Sequence, residues 1–358
     1  MRAVVLVGGE GTRLRPLTLT MPKQMLPVAE VAMIERVLGH LARHGVEAAT
    51  LSMGYKPDAF LAAFPEDRCA GVTLDYAVEP TALDTAGAIR FAARHAGLDS
   101  PFLVVNGDVL TDADITALMA FHRATGGAAS IVLTPVPDPS AFGVVPTDDD
   151  GRVQAFIEKP PPGTAPTNLI NAGFYVLEPE VLDRIPPDRR VNIEKETFPA
   201  LVADGLLYAM PTESYWTDTG TPELYLRANL DLVNGARGDR PVAGARRSHE
   251  GPWIIGGPVI DVELEKGSLV GDAAFVGRGS TVSGSVIGAG CRVEGGTVTG
   301  SLLLPGAVVR AGAWVDGSIV GPGAVVGEGA EVTGLSVLGE GTQVGRHQAV
   351  TGARVPAA

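Results

Sequence analysis

Gly8, Gly9 and Gly11 occupy three of four consecutive positions, Thr12 and Arg13 follow them, and Pro22-Lys23 closes the same stretch. The apolar run Ala3-Val4-Val5-Leu6-Val7 leads into it. Glycines at such spacing let backbone N–H groups approach an anion with no side chain in the way. Arg13 and Lys23 add fixed positive charge. The chemistry is that of a phosphate cradle, and a nucleoside triphosphate is the ligand it suits. A dinucleotide fingerprint is excluded, because counting from Gly9 its last glycine falls on Leu14. The Gly-Lys-Ser/Thr ending of a Walker loop is absent too. Two carboxylates stand further along. Asp108 ends Asn106-Gly107-Asp108, after the apolar run Phe102-Leu103-Val104-Val105. It is a hard oxygen ligand at a strand terminus, or else a simple turn aspartate. Asp218 lies in Trp216-Thr217-Asp218-Thr219-Gly220-Thr221-Pro222, where capping the next helix is its plainer role. Magnesium commonly takes one or two carboxylates together with substrate phosphates, so the pair makes sense as a unit.

The elements that must position these residues follow from hydrophobic periodicity. Strand patterns at 3–7, 49–53, 73–78, 102–106 and 129–134 alternate with helical patterns near 33–44, 58–64, 85–96 and 112–125. Alternation of this kind predicts an α/β, Rossmann-like, mostly parallel sheet with helices on both faces. Ligands of such sheets collect at the carboxyl ends of strands, which is where 8–13 and 106–108 fall. Residues 1–235 form this expected domain and 236–252 a polar linker. From 253 to 358 helical periodicity disappears and Gly and Val dominate. Ser-apolar-apolar segments begin at Ser268, Ser285, Ser301, Ser318 and Ser336, at offsets of 17, 16, 17 and 18 residues. Three faces of about six residues per turn give that period, which predicts a left-handed parallel β-helix of hexapeptide repeats. A β-sandwich would not share a fixed offset with glycine corners.

Bulk composition bounds the function. The 358 residues carry 45% hydrophobic and 19% charged residues, enough for a sizeable core in two domains. A net charge of −13 argues against nucleic acid or an anionic membrane surface as partner. Cys69 and Cys291 are far apart in sequence and read as buried or incidental thiols. The chain enters its first strand with no charged-then-apolar leader, and no apolar run reaches the length of a membrane span, so a cytoplasmic location is expected. None of His40, His44, His95, His122, His249 and His347 has metal-ligand spacing.

The glycine run, with its Thr12-Arg13-Leu14-Arg15-Pro16-Leu17-Thr18 continuation and Pro22-Lys23, resembles the nucleotide loop of sugar-1-phosphate nucleotidyltransferases. Later motifs match the same family over nearly the whole chain, and the body is most similar to the mannose-1-phosphate guanylyltransferases within it. The resemblance implies a fold, a nucleotidyltransferase domain with a C-terminal β-helix, and a reaction. A sugar 1-phosphate oxygen attacks the α-phosphorus of a nucleoside triphosphate, GTP in the leading case, and pyrophosphate leaves. It implies Mg2+ held by Asp108 and Asp218, with Arg13 and Lys23 stabilising charge as the displacement proceeds. The nucleotide set it implies is Val7, Gly8, Gly9, Gly11, Thr12, Arg13, Lys23, Glu79, Asp84, Thr85 and Gly107. The sugar phosphate set is Gly143, Glu158 and Lys159 of Glu158-Lys159-Pro160, Asn171 of Asn171-Ala172-Gly173, and Lys195, with Glu194 beside it. An exposed Glu-Lys pair at a strand end and a solvated helix start are the plainer readings of the last groups.

Glu79 can accept hydrogen bonds from guanine N1–H and N2–H2 together, a donor pair that adenine and thymine lack. Asp84, however, stands where guanylyltransferases usually carry the glycine of Leu-Gly-Thr-Ala-Gly. After Leu26-Pro27-Val28 the usual Gly-x-Pro is absent and Ala29-Glu30-Val31-Ala32-Met33 stands instead, and 23–27 echoes thymidylyltransferases. A glucose-1-phosphate thymidylyltransferase, or an enzyme for another hexose or cyclitol phosphate, therefore stays open. So does a non-catalytic regulatory subunit that binds nucleotide sugar. Acyl transfer on the β-helix is disfavoured, because 253–345 contains no histidine to act as base. The open ends of stacked coils instead imply a homo-oligomer formed through that domain.

Overall fold

The computed structural model describes residues 1–356 apart from 55, 188, 239, 248–250 and 265–266. The expected linker lies partly, and His249 wholly, outside the described residues. By packing, the chain forms two compact units, one of residues 1–9 with 34–216 and one of 10–33 with 217–358.

In the first unit the expected parallel sheet is the centre of a mixed one. Phe102–Asn106, Arg2–Leu6, Ala48–Met53 and Val72–Val78 lie side by side in that order, all parallel. Ala3, Val4, Val5 and Phe102 to Val105 are at most 1% exposed, the continuous apolar filling of strands covered on both faces. Beyond Phe102–Asn106 the direction reverses. Leu169–Leu177 runs antiparallel to it, Ala129–Pro135 runs antiparallel to Leu169–Leu177, and Leu207–Pro211 runs parallel to Ala129–Pro135. The helices Met33–Arg43, Pro57–Ala63, Asp84–His95 and Ile115–Thr125 fall on the sequence periodicities. The last begins three residues later than its pattern because the Asp114 side chain caps it, accepting from Ala117 N. The run 152–157 reads in sequence as a strand, and the structure makes it shorter. Only Ile157–Glu158 pairs as a strand, while Arg152 and Val153 make isolated bridges to Tyr208 and Thr147.

In the second unit the repeats wind into a parallel β-helix of three sheets. Leu269–Val270, Val286–Ile287, Leu302–Leu303, Ile319–Val320 and Val337–Leu338 stack in one, Phe275–Val276, Arg292–Val293, Val308–Val309 and Val325–Val326 in the second, and Thr281–Ser283, Thr297–Thr299, Trp314–Asp316 and Glu331–Thr333 in the third. Val270, Ile287, Leu303, Val320 and Leu338 form one buried column of the interior. The serine that opens each repeat is fully buried and has a definite job. The Oγ of Ser301 donates to Thr299 O at 2.7 Å and accepts from Ser318 N of the next coil at 3.0 Å. Ser268, Ser285, Ser318 and Ser336 likewise accept from the coil that follows. A hydroxyl is the smallest group that both donates and accepts, so the ladder satisfies a corner where the backbone leaves the sheet.

The segment 10–33 belongs to this unit. Its hairpin Pro27–Val28 with Val31–Ala32 turns at Ala29 and Glu30. Pro27 O accepts from Tyr225 OH at 2.6 Å, Ala29 N donates to Asn229 Oδ1 at 2.8 Å, and Glu30 Oε2 accepts from Ala289 N at 2.8 Å. Tyr225 and Asn229 lie on the helix Pro222–Val233, and Ala289 lies on the β-helix. Trp253 Nε1 donates to Val233 O at 3.0 Å, tying that helix to the first coil.

Candidate active site

In the first unit the site begins where strand order turns. Arg2–Leu6 has its next strand, Ala48–Met53, on one side and Phe102–Asn106 on the other. Ligand crevices of open α/β sheets lie at the carboxyl ends of strands at such a point. Val7 N donates to Ser52 O and Gly107 N to Leu6 O, each at 3.0 Å, so Val7, Gly8, Gly107 and Asp108 all emerge there. Gly9 follows directly. A methyl group at Gly8 would stand 3.2 Å from Gly54 N and 3.4 Å from Glu79 Oε1.

Glu79 and the loop behind it form one hydrogen-bonded piece. Its Oε1 accepts from Ser52 Oγ at 3.2 Å and its Oε2 from Leu83 N at 3.0 Å. Burial pushes its carboxyl above the usual carboxylate range. Asp84 has a left-handed backbone, φ +63°. That is the conformation glycine supplies most easily, and aspartate is among the few other residues that tolerate it. The position thus keeps the backbone of a glycine while adding a carboxylate. Asp84 Oδ1 accepts from its neighbour Thr85 N at 2.7 Å and from Asn192 Nδ2 at 3.1 Å. Thr85 Oγ1 accepts from Ile193 N at 2.9 Å, and Leu83 O accepts from Val191 N at 3.0 Å.

The sugar-phosphate group assembles around Leu169–Leu177. Register shifts between Asn171 and Tyr175. Gly173 takes φ +77° in that irregularity, and a methyl there would strike the Asn106 side chain at 2.6 Å. Asn171 Nδ2 donates to Glu194 Oε1 at 2.7 Å and to Tyr175 OH at 2.8 Å, while its Oδ1 accepts from Gly173 N. Glu194 is mostly buried and faces Glu158, and these two effects raise its pKa to about 7. Lys159 Nζ lies 3.1 Å from Glu158 Oε1. Gly143 pairs with Glu158 across two antiparallel strands, and a methyl there would meet the Phe156 ring at 2.6 Å. Asn192 caps the π-helical turn Ile193–Thr197, its Oδ1 accepting from Glu194 N at 3.1 Å and Lys195 N at 3.0 Å. Glu158, Lys159, Asn171 and Glu194 are thus brought together, and Lys195 is fixed on the turn that carries Glu194.

In the second unit the loop residues gather separately. Gly11 starts the tight turn Thr12–Leu14 and abuts Lys23, since a methyl there would lie 3.1 Å from Lys23 Cβ. Thr18 Oγ1 donates to Gly11 O at 2.8 Å. Thr12 and Arg13 are exposed. Asp218 Oδ1 accepts from Gly220 N at 2.7 Å. A methyl at Gly220 would stand 2.6 Å from Arg13 Nη2 and 2.8 Å from Asp218 Oδ1, so Arg13 and Asp218 both bear on Gly220. Among the described residues no three His, Cys, Asp or Glu side chains converge as a metal cage. Both cysteines are free and buried.

Sequence reasoning missed Gly220, Ser52 and the dual role of Asn192. The helix-start signal at Asn192 was visible. Its reach to Asp84, across 108 residues, was not.

A family model described as Nucleotidyl transferase matches residues 2–235, and one described as GMPPB C-terminal domain matches 262–357. The mannose-1-phosphate guanylyltransferase of Mycobacterium tuberculosis is 43% identical over 296 residues, 81% of this chain and 80% of that protein. The mannose-1-phosphate guanylyltransferase catalytic subunit beta of Dictyostelium discoideum is 38% identical over 263 residues, 73% and 71% of the two chains. Among solved structures, HddC from Yersinia pseudotuberculosis complexed with GMP-PN aligns at TM-score 0.56 and 29% identity, over 64% of this chain and 97% of that one.

Proposed function

Because the chain belongs to the nucleotidyl transferase family, we propose that it is an enzyme joining GTP to mannose 1-phosphate, giving GDP-mannose and pyrophosphate. The observation that carries this reading is 43% identity to a mannose-1-phosphate guanylyltransferase across 80% of that protein's length. A phosphate oxygen of the sugar phosphate forms a bond to the α-phosphorus as the bond to the β-phosphate oxygen breaks. The nucleophile is already an anion, so no residue need take its proton. The protein's task is to align two anions and to neutralise the charge they share.

In this reading Gly8, Gly9, Gly11 and Thr12 line the triphosphate with backbone N–H groups, helped by Val7 and Gly107. Arg13 and Lys23 stabilise charge on the phosphates. Glu79, Asp84 and Thr85 shape the base side. Glu158 and Asn171 hold sugar hydroxyls, Gly143 admits the sugar to its backbone, and Lys159 and Lys195 meet the sugar phosphate. Asp108 and Asp218 fit Mg2+, being hard oxygen donors of the kind it takes alongside phosphate oxygens. When bound, the ion supplies neutralisation of the triphosphate charge.

We also read the protein as a cytoplasmic homo-oligomer assembled through the β-helix. The assembly reading rests on the open ends of the stacked coils. Among the described residues no helix is long and apolar enough to cross a membrane.

The test is pyrophosphate release with GTP, dTTP, UTP and ATP, each paired with mannose 1-phosphate and glucose 1-phosphate in the presence of Mg2+. Preferred turnover of GTP with mannose 1-phosphate is expected. Preference for dTTP with glucose 1-phosphate, or no turnover of any pair, overturns the assignment. Light scattering of the intact chain tests the assembly, and a monomeric mass refutes it.

A further inference from the structure

Asp84 and Asn192 connect the two halves of the first unit's site. Glu79 Oε2 holds Leu83 N, Asp84 follows with its carboxylate on Asn192 Nδ2, and Asn192 Oδ1 holds the amides of Glu194 and Lys195. Glu194 in turn holds Asn171. Backbone bonds zip the same two segments, Ala86 N to Val191 O at 2.9 Å and Val191 N to Leu83 O at 3.0 Å. The Asn192 side chain is therefore a bracket with a charged anchor at one end and a helix start at the other. A hydrogen bond to a carboxylate is stronger than one between neutral groups. Glycine at position 84 would keep the backbone conformation and lose the anchor. Arg190 lies 3.9 Å from Asp84 Oδ2 but is mostly exposed, so it adds little.

We propose that Asp84 is a positioning residue that, through Asn192, sets the turn bearing Glu194 and Lys195 and so couples the nucleotide loop 79–85 to sugar phosphate binding. The inference rests on the assignment of those segments under Proposed function. It gives the substitution of a family glycine a definite consequence. Asp84 acts on the sugar phosphate side from a loop assigned to the base.

The test is Asp84→Gly, chosen because glycine suits φ +63° and removes only the carboxylate. The readouts are hydrogen exchange of the 192–197 segment without substrate, and KM for each substrate separately. Exchange at 194 and 195 is expected to quicken, and KM for mannose 1-phosphate to rise about tenfold, by more than any accompanying rise in KM for GTP. Asp84→Asn keeps an acceptor oxygen and is expected to restore most of both. Unchanged exchange, a rise in KM for GTP alone, or no rescue by asparagine each overturns the proposal. Should the wild type prefer another substrate pair, the family assignment of substrates fails, while the exchange experiment still decides the coupling.

Discussion

Glu194 shows how much of a residue's chemistry depends on its neighbours. In sequence it is one of two glutamates at a helix start, and a solvated position is its plainest reading. Folded, it is mostly buried beside Glu158 with Asn171 on its Oε1, and its pKa is raised to about 7 from 4.5. The native state thus keeps the proton to higher pH than the unfolded chain does. The stability this contributes is complete below about 4.5 and is lost as pH rises through about 7. Glu194→Gln keeps the acceptor for Asn171 and removes the ionisation. Its melting temperature should rise relative to wild type between those pH values and hold a constant advantage above them. A difference that does not vary with pH would show that Glu194 titrates alike in the folded and unfolded chain. At this scale the sequence marked Glu158, Lys159, Asn171 and Lys195 through their motifs. It could not mark which carboxyl carries a proton, because that depends on burial and on a second carboxyl 36 residues away in sequence.

The elements were the most legible part. Strand 102–106 matches its sequence pattern residue for residue, and the helices begin where the apolar periodicity begins or where a capping aspartate starts them. The serine spacing announced the coils but not the reason for serine. The structure supplies it, since each Oγ satisfies an amide of the next coil. Ser301→Ala should leave Ser318 N and Thr299 O without this partner inside a buried corner. The expected loss is about 1–3 kcal/mol, read as a lower urea midpoint, because an unsatisfied buried group bears its full desolvation penalty. An unchanged midpoint would mean that the ladder is not load-sharing at that coil. The antiparallel flank of the first sheet was harder to read. Leu169–Leu177 is apolar and nearly all buried whichever way it runs, so composition carries no direction.

At the scale of the molecule, residues 10–33 fold with the β-helix unit. Glu30 is the clearest link, half-buried and bound to Ala289 N, 259 residues away. A chain ending at 252 would deprive Glu30 of Ala289 N and Val233 O of the Trp253 indole N–H. Such a truncation should melt well below the full chain and lose most pyrophosphate release, and full activity of 1–252 would refute this dependence. Glu30→Ala is the milder form, with a stability loss of about 1–3 kcal/mol and slower turnover expected, checked by thermal melts and initial rates. The sequence by itself determined the parallel centre of the sheet, the repeat of the coils, the glycine-rich loop and the family, because each is written in contiguous residues or a fixed period. Only the tertiary structure decided that Asp84 holds Asn192, that Glu194 faces Glu158, and that Glu30 joins the hairpin to the coils. These are pairings across tens to hundreds of residues. Their energy comes from burial and from satisfying particular donors, and a local pattern holds no record of which distant group will be the partner.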